Sequence, residues 1–114
     1  MKRFGQIVAA LVVAGLVGLG HTASQAQSGS GVTIRVFQFQ PNPLEVKVGT
    51  QVNWTNQDDI EHTVTSGIPE RPDGRFNSVL SGKDKTASFT FKEVGSYSYF
   101  CNRHQSMRGQ ITVK

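Results

Sequence analysis

Four side chains stand out by type and by spacing. Cys101, His104 and Met107 lie in the stretch Cys101-Asn102-Arg103-His104-Gln105-Ser106-Met107, of the form C-x2-H-x2-M, and His62 lies well upstream. After residue 26 the sequence holds no other cysteine, histidine or methionine. Covalent spacing alone brings a thiolate, an imidazole and a thioether close together in the loop. Thiolate and thioether are soft ligands and imidazole is borderline, so calcium and magnesium, which prefer oxygen, are poor matches. Zinc accepts Cys and His but gains little from a thioether. Two histidines and a thiolate in a plane with a weak axial Met describe a blue-copper site, which accommodates both Cu(I) and Cu(II). Singly, each residue has a plainer reading: an inert buried thiol, a solvated imidazole, a gap-filling methionine. Jointly, all four fall into one donor pattern with none left over.

These donors need elements to position them. The 114 residues suffice for one domain. Residues 1–26 read as a secretory signal peptide. Lys2 and Arg3 form its positive start, Ile7 to Leu19 its apolar run, and Ser24-Gln25-Ala26 a cleavage site after Ala26. The apolar run is short for a bilayer span, so no stable membrane anchor is expected after cleavage, and the destination is the periplasm. Residues 27–31 read as a flexible lead-in, and 32–114 as the folded domain.

Within that domain the pattern is strand after strand. Val32 to Val36, Leu44 to Val48, Val52 to Trp54, Ala87 to Phe91 and Ile111 to Val113 alternate apolar and polar residues. Phe37 and Phe39 switch the parity, which predicts a bulge or burial on both faces. Ser66 to Gly82, with Pro69, Pro72 and Asp73-Gly74, reads as a long connection. Helical periodicity is absent after residue 30. The fold class is therefore all-β, an antiparallel β-sandwich of about seven or eight strands. The C-x2-H-x2-M loop falls between the last two strands, at one end of the sandwich, where His62 can meet it. Tyr97, Tyr99 and Cys101 share a strand face, so the tyrosines are expected beneath the metal and Trp54 in the core. Asp58, Asp59 and Glu61 read as a solvated loop.

Charge excludes several classes of function. The net +4 falls to +2 once Lys2 and Arg3 are removed, and no Lys/Arg cluster exists, so nucleic acid is not an expected partner. A lone cysteine excludes a disulfide framework. A multicopper enzyme would need further histidines, so an enzyme is not expected. Copper storage or delivery is the alternative to electron transfer, although such sites favour several methionines or a Cys pair.

The sequence resembles small blue copper proteins of the plastocyanin/amicyanin group of cupredoxins. The resemblance rests on Val52-Asn53-Trp54-Thr55-Asn56 leading to His62-Thr63-Val64, on Pro72 to Ser78, on Gly95 to Cys101, and on His104, Met107 and Gly109; it covers residues 32–114. It implies a Greek-key sandwich and one copper ion held by His62, Cys101 and His104, with Met107 as the long axial ligand. It also implies one-electron exchange with redox protein partners such as a periplasmic dehydrogenase or a c-type cytochrome, and a monomer. The His-to-Met spacing resembles the amicyanin loop. Two departures carry expectations of their own. Thr63 stands where the family often has Asn, and its hydroxyl is expected to hydrogen-bond across to the ligand loop. Arg103, Gln105 and Ser106 replace prolines and an aromatic, so the face around His104 is expected to be more polar. Arg103 and Arg108 there should attract an acidic partner.

Overall fold

Every second side chain of Thr50–Asn56 is buried, which is what period-two alternation requires of a strand with one face on a core. Eight further strands accompany it in a computed structural model that describes residues 29–114, and no helix occurs among these residues. The strands are β1 (Gly29–Arg35), β2 (Gln38–Gln40), β3 (Leu44–Val46), β4 (Thr50–Asn56), β5 (His62–Ile68), β6 (Arg71–Leu80), β7 (Thr86–Phe91), β8 (Gly95–Phe100) and β9 (Arg108–Val113). They form two sheets, in the orders β2-β1-β4-β7 and β3-β9-β8-β5-β6. The core between them is built on Val32, Ile34, Val52, Trp54, Phe91 and Ile111. The stretch read as a signal peptide, with its expected cleavage site, lies outside the described residues.

The all-β sandwich agrees with the sequence reading, and three details correct it. There are nine strands, and two of the ladders, β1 with β4 and β3 with β9, are parallel. The chain leaves the first sheet after β2 and returns as β4, so β4 arrives beside β1 without a hairpin and runs in the same direction. Second, most of the stretch read as a long connection is strand. β6 is an edge strand that pairs only with β5, with a register shift between Thr65 and Gly67. An edge tolerates Pro72, whose missing N–H costs no interior ladder bond. Third, the parity switch at Phe37 is a turn. β1 and β2 form a hairpin with Arg35 opposite Gln38, and its two loop residues, Val36 and Phe37, have φ of 52° and 60°. Positive φ at both loop positions gives the twist that a two-residue hairpin needs, but Asn-Gly is the usual choice. A β-branched residue there is an outlier, and each such strained residue costs about 1–3 kcal/mol. The first ladder also reaches back to Gly29, opposite Gln51, into the segment read as a lead-in.

Tyr99 lies in the core, edge-on to Phe39 at 4.6 Å and to Trp54 at 5.4 Å. Tyr97 sits toward the far end of β8, its hydroxyl donating to the Glu93 carbonyl at 2.7 Å. Burial pushes the Tyr99 hydroxyl up to about 12 from its ordinary 10.0, with the Trp54 indole pulling weakly the other way. The unfolded chain therefore loses this proton first as pH rises. Stability is complete below pH 10 and is lost as pH climbs through the folded value, by about 2–3 kcal/mol at most. Denaturant midpoints measured from pH 9 to 12 should fall more steeply in the wild type than in Tyr99→Phe.

Candidate metal centre

Three elements deliver the donors. His62 opens β5, and the β-branched run Thr63-Val64-Thr65 continues it beside β8, with Thr65 opposite Phe100. That pairing sets His62 next to Cys101, the residue after β8. The loop of residues 101–107 links β8 to β9. It is tied internally by Cys101 N–H donating to the Met107 carbonyl (3.1 Å) and Met107 N–H donating to the His104 carbonyl (2.8 Å). Residues 57–61, which lead into His62, are arranged around buried Asn56. Its amide donates to the carbonyls of Ile60 (2.8 Å) and Leu80 (3.2 Å), and its oxygen accepts the Asp58 N–H (2.9 Å).

Cys101 Sγ stands 3.7 Å from His62 Nδ1 and 3.7 Å from His104 Nδ1. All three donor atoms lie within 4.8 Å of one another. An ion with bonds of about 2.3 Å to sulfur and 2.0 Å to nitrogen, spread at 120°, would separate the two donors by about 3.7 Å. Both sulfur–nitrogen separations therefore suit a thiolate and two imidazoles around one ion. His62 and Cys101 are fully buried, His104 is half-buried and Met107 is buried beside the loop it closes. Three of the four residues singled out in the sequence, His62, Cys101 and His104, are thus gathered at one end of the sandwich, and Met107 closes the loop that carries two of them.

Hydrogen bonds hold this set in place. The Thr63 N–H donates to Cys101 Sγ at 3.4 Å, which fixes the direction of the sulfur. The Asn102 N–H donates to the Thr63 hydroxyl at 2.7 Å, so the expected link to the ligand loop is present. The threonine hydroxyl has its own support in Thr65 Oγ1 at 2.9 Å, which donates onward to Asn77 Oδ1 at 2.9 Å. Thr63→Val should orphan the Asn102 N–H and cost about 1–3 kcal/mol. Chemical denaturation of the metal-free protein would measure the loss, and the copper protein should show a changed reduction potential. An unchanged potential would mean that the hydroxyl does not constrain the ligand loop.

Two residues of the site escaped the sequence reading. Asp58 is not simply part of a solvated loop. Its Oδ2 lies 2.8 Å from His62 Nε2, and its two oxygens accept the N–H groups of Val36 (2.8 Å) and Phe37 (3.1 Å). Burial works to raise its pKa, but the Phe37 and Val36 amides and the His62 ring outweigh it and hold the carboxyl below its usual 3.8. Phe37, half-exposed, sets its ring edge-on to both imidazoles, 5.3 Å from His62 and 4.8 Å from His104. No local signal singled out either residue. The flanking arginines are less free than expected. Arg103 pairs with Glu61 at 2.8 Å, and Arg108 lies 3.7 Å from Glu70. Both pairs are exposed and contribute little to stability, but they reduce the positive charge offered to a partner.

Residues 26–114 match the family described as copper binding proteins of the plastocyanin/azurin family. The chain belongs to this family. It is 31% identical to amicyanin of Paracoccus denitrificans over 83 residues, 73% of this chain and 63% of that protein, so the match spans less than two thirds of amicyanin's length. It is 33% identical to plastocyanin of Scenedesmus fuscus over 84 residues, 67% of this chain and 86% of that one. Among solved structures, a purple cupredoxin from Nitrosopumilus maritimus superimposes with a TM-score of 0.69 at 29% identity, covering 75% of this chain and 99% of that chain. The cofactor of this cupredoxin is copper, and His62, Cys101 and His104 are positioned to bind it.

Proposed function

We propose that this cupredoxin is an exported one-electron carrier of the periplasm, not an enzyme, holding one copper ion through His62, Cys101 and His104 with Met107 as the weak axial ligand. The observation that carries this reading is the preformed donor set, with both imidazole nitrogens 3.7 Å from one sulfur. When bound, copper supplies a Cu(I)/Cu(II) couple. The chain does the rest. Buried His62 and Cys101, tied to β5 and β8, hold the donors so that little need move between oxidation states. The Thr63 N–H and the closed 101–107 loop keep the sulfur oriented.

Half-buried His104 offers the way in and out. Phe37 packs beside it, and Val36 and Phe37 expose apolar surface on the same turn. That face suits brief docking of a redox protein, such as a dehydrogenase or c-type cytochrome, with the protein itself monomeric. The signal segment, the domain boundaries at 27 and 32, and cleavage after Ala26 belong to the same reading.

The test is a Cu(II) titration of the purified protein followed by voltammetry. One equivalent should bind with an intense blue or purple colour and cycle reversibly. A colourless adduct would overturn the reading, and loss of metal on each reduction would point instead to copper delivery.

A further inference from the structure

We infer that Asp58 is a positioning residue for the copper site, orienting His62 as a ligand and fastening the Val36–Phe37 turn over both imidazoles. This rests on the reading of His62 as a copper ligand. Three N–H donors converge on one carboxylate. Oδ1 accepts from Val36 at 2.8 Å, and Oδ2 accepts from Phe37 at 3.1 Å and from His62 at 2.8 Å. An ionised carboxylate only accepts hydrogen bonds. In the neutral ring the His62 hydrogen therefore sits on Nε2, which leaves the Nδ1 lone pair facing Cys101 Sγ. The imidazole has no other freedom, since its side chain is 0% exposed and it is wedged between the rings of Phe37 and His104.

The turn gives an independent reason. Val36 and Phe37 are two consecutive non-glycine residues in left-handed geometry, held only where the surroundings over-determine it. In a two-residue hairpin their N–H groups have no partner in the ladder, and Asp58 takes both. The same carboxylate thus fixes the buried ligand and the aromatic that covers it. Its negative charge, 14% exposed and against the ring, makes the imidazole a stronger donor and favours Cu(II) over Cu(I).

Asp58→Asn tests this with little change of shape. The amide has one oxygen and one NH2 group, so in either orientation an N–H donor faces another donor. Copper affinity should fall about 10–100-fold. The loss should be larger for Cu(II), with the ratio of Cu(II) to Cu(I) affinity dropping about tenfold, a rise of about 59 mV in the one-electron potential. Asp58→Ala, read without metal by 15N NMR of the His62 ring, should move hydrogen from Nε2 to Nδ1 in part of the molecules. If Asp58→Asn unfolds the chain, the comparison is repeated in a Val36→Asn/Phe37→Gly background, where the turn no longer needs the carboxylate. An affinity ratio within twofold of the unsubstituted protein, or an unaltered ring tautomer in Asp58→Ala, would overturn the inference while a blue wild type leaves the ligand reading intact. A wild type that stays colourless with Cu(II) overturns both.

Discussion

Cys101→Ser should leave a folded protein that never turns blue. The colour of such a site comes from charge transfer between a thiolate and Cu(II), and Cys101 is the sole thiol in the sequence. It sits between the two imidazole nitrogens, 3.7 Å from each, so its removal deletes the centre of the donor set. Serine is slightly smaller and fits the same buried space. Its hydroxyl can still accept the Thr63 N–H that now meets the sulfur. Circular dichroism should therefore match the wild type, while the visible band and the reversible couple disappear. A variant that keeps the band would place the metal elsewhere.

The second large effect is predicted for a residue that touches no ligand. Gly109 pairs with Tyr99 across β8 and β9, and a Cβ on residue 109 would overlap Cζ, Oη and Cε1 of the Tyr99 ring. The ring cannot step aside, because Phe39 and Trp54 pack against it. Overpacking of this kind costs typically 1–3 kcal/mol, occasionally more, and Gly109→Ala lies at the upper end because ring and backbone must both shift. At about 4–8 °C per kcal/mol for a domain of this size, thermal unfolding of the metal-free protein should drop by about 12–24 °C. The strain reaches the site as well, since Gly109 follows the Met107 end of the ligand loop by two residues. Tyr99→Leu combined with Gly109→Ala should recover part of the loss. No recovery would show that the penalty does not come from the ring.

Much of the site was legible without coordinates because its rarest residues are its donors. Cys101, His104 and Met107 are neighbours by covalent spacing, and no arrangement of the chain could part them by far. Period-two alternation exposed β4, β7 and β9, because burial on one face leaves a local mark on sequence. It failed for β6, where Pro72 and Asp73-Gly74 carry turn chemistry on an edge strand whose side chains are mostly exposed. It also failed for Val36–Phe37, where apolar residues occupy a turn that composition assigns to Asn and Gly.

The donor inventory and the β class were determined by sequence alone, since they follow from residue type and alternation, whereas the Thr63 link to the ligand loop, 39 residues away, was expected only from the resemblance to the cupredoxins. Tertiary structure decided which of three neighbouring acids matters. Asp58, Asp59 and Glu61 look alike along the chain. Only the folding of the β1–β2 hairpin over the loop before β5 gives one of them three N–H partners, leaving Asp59 exposed and Glu61 to Arg103. A carboxylate acquires its role from the donors that surround it, and those donors come from strands that meet only in three dimensions.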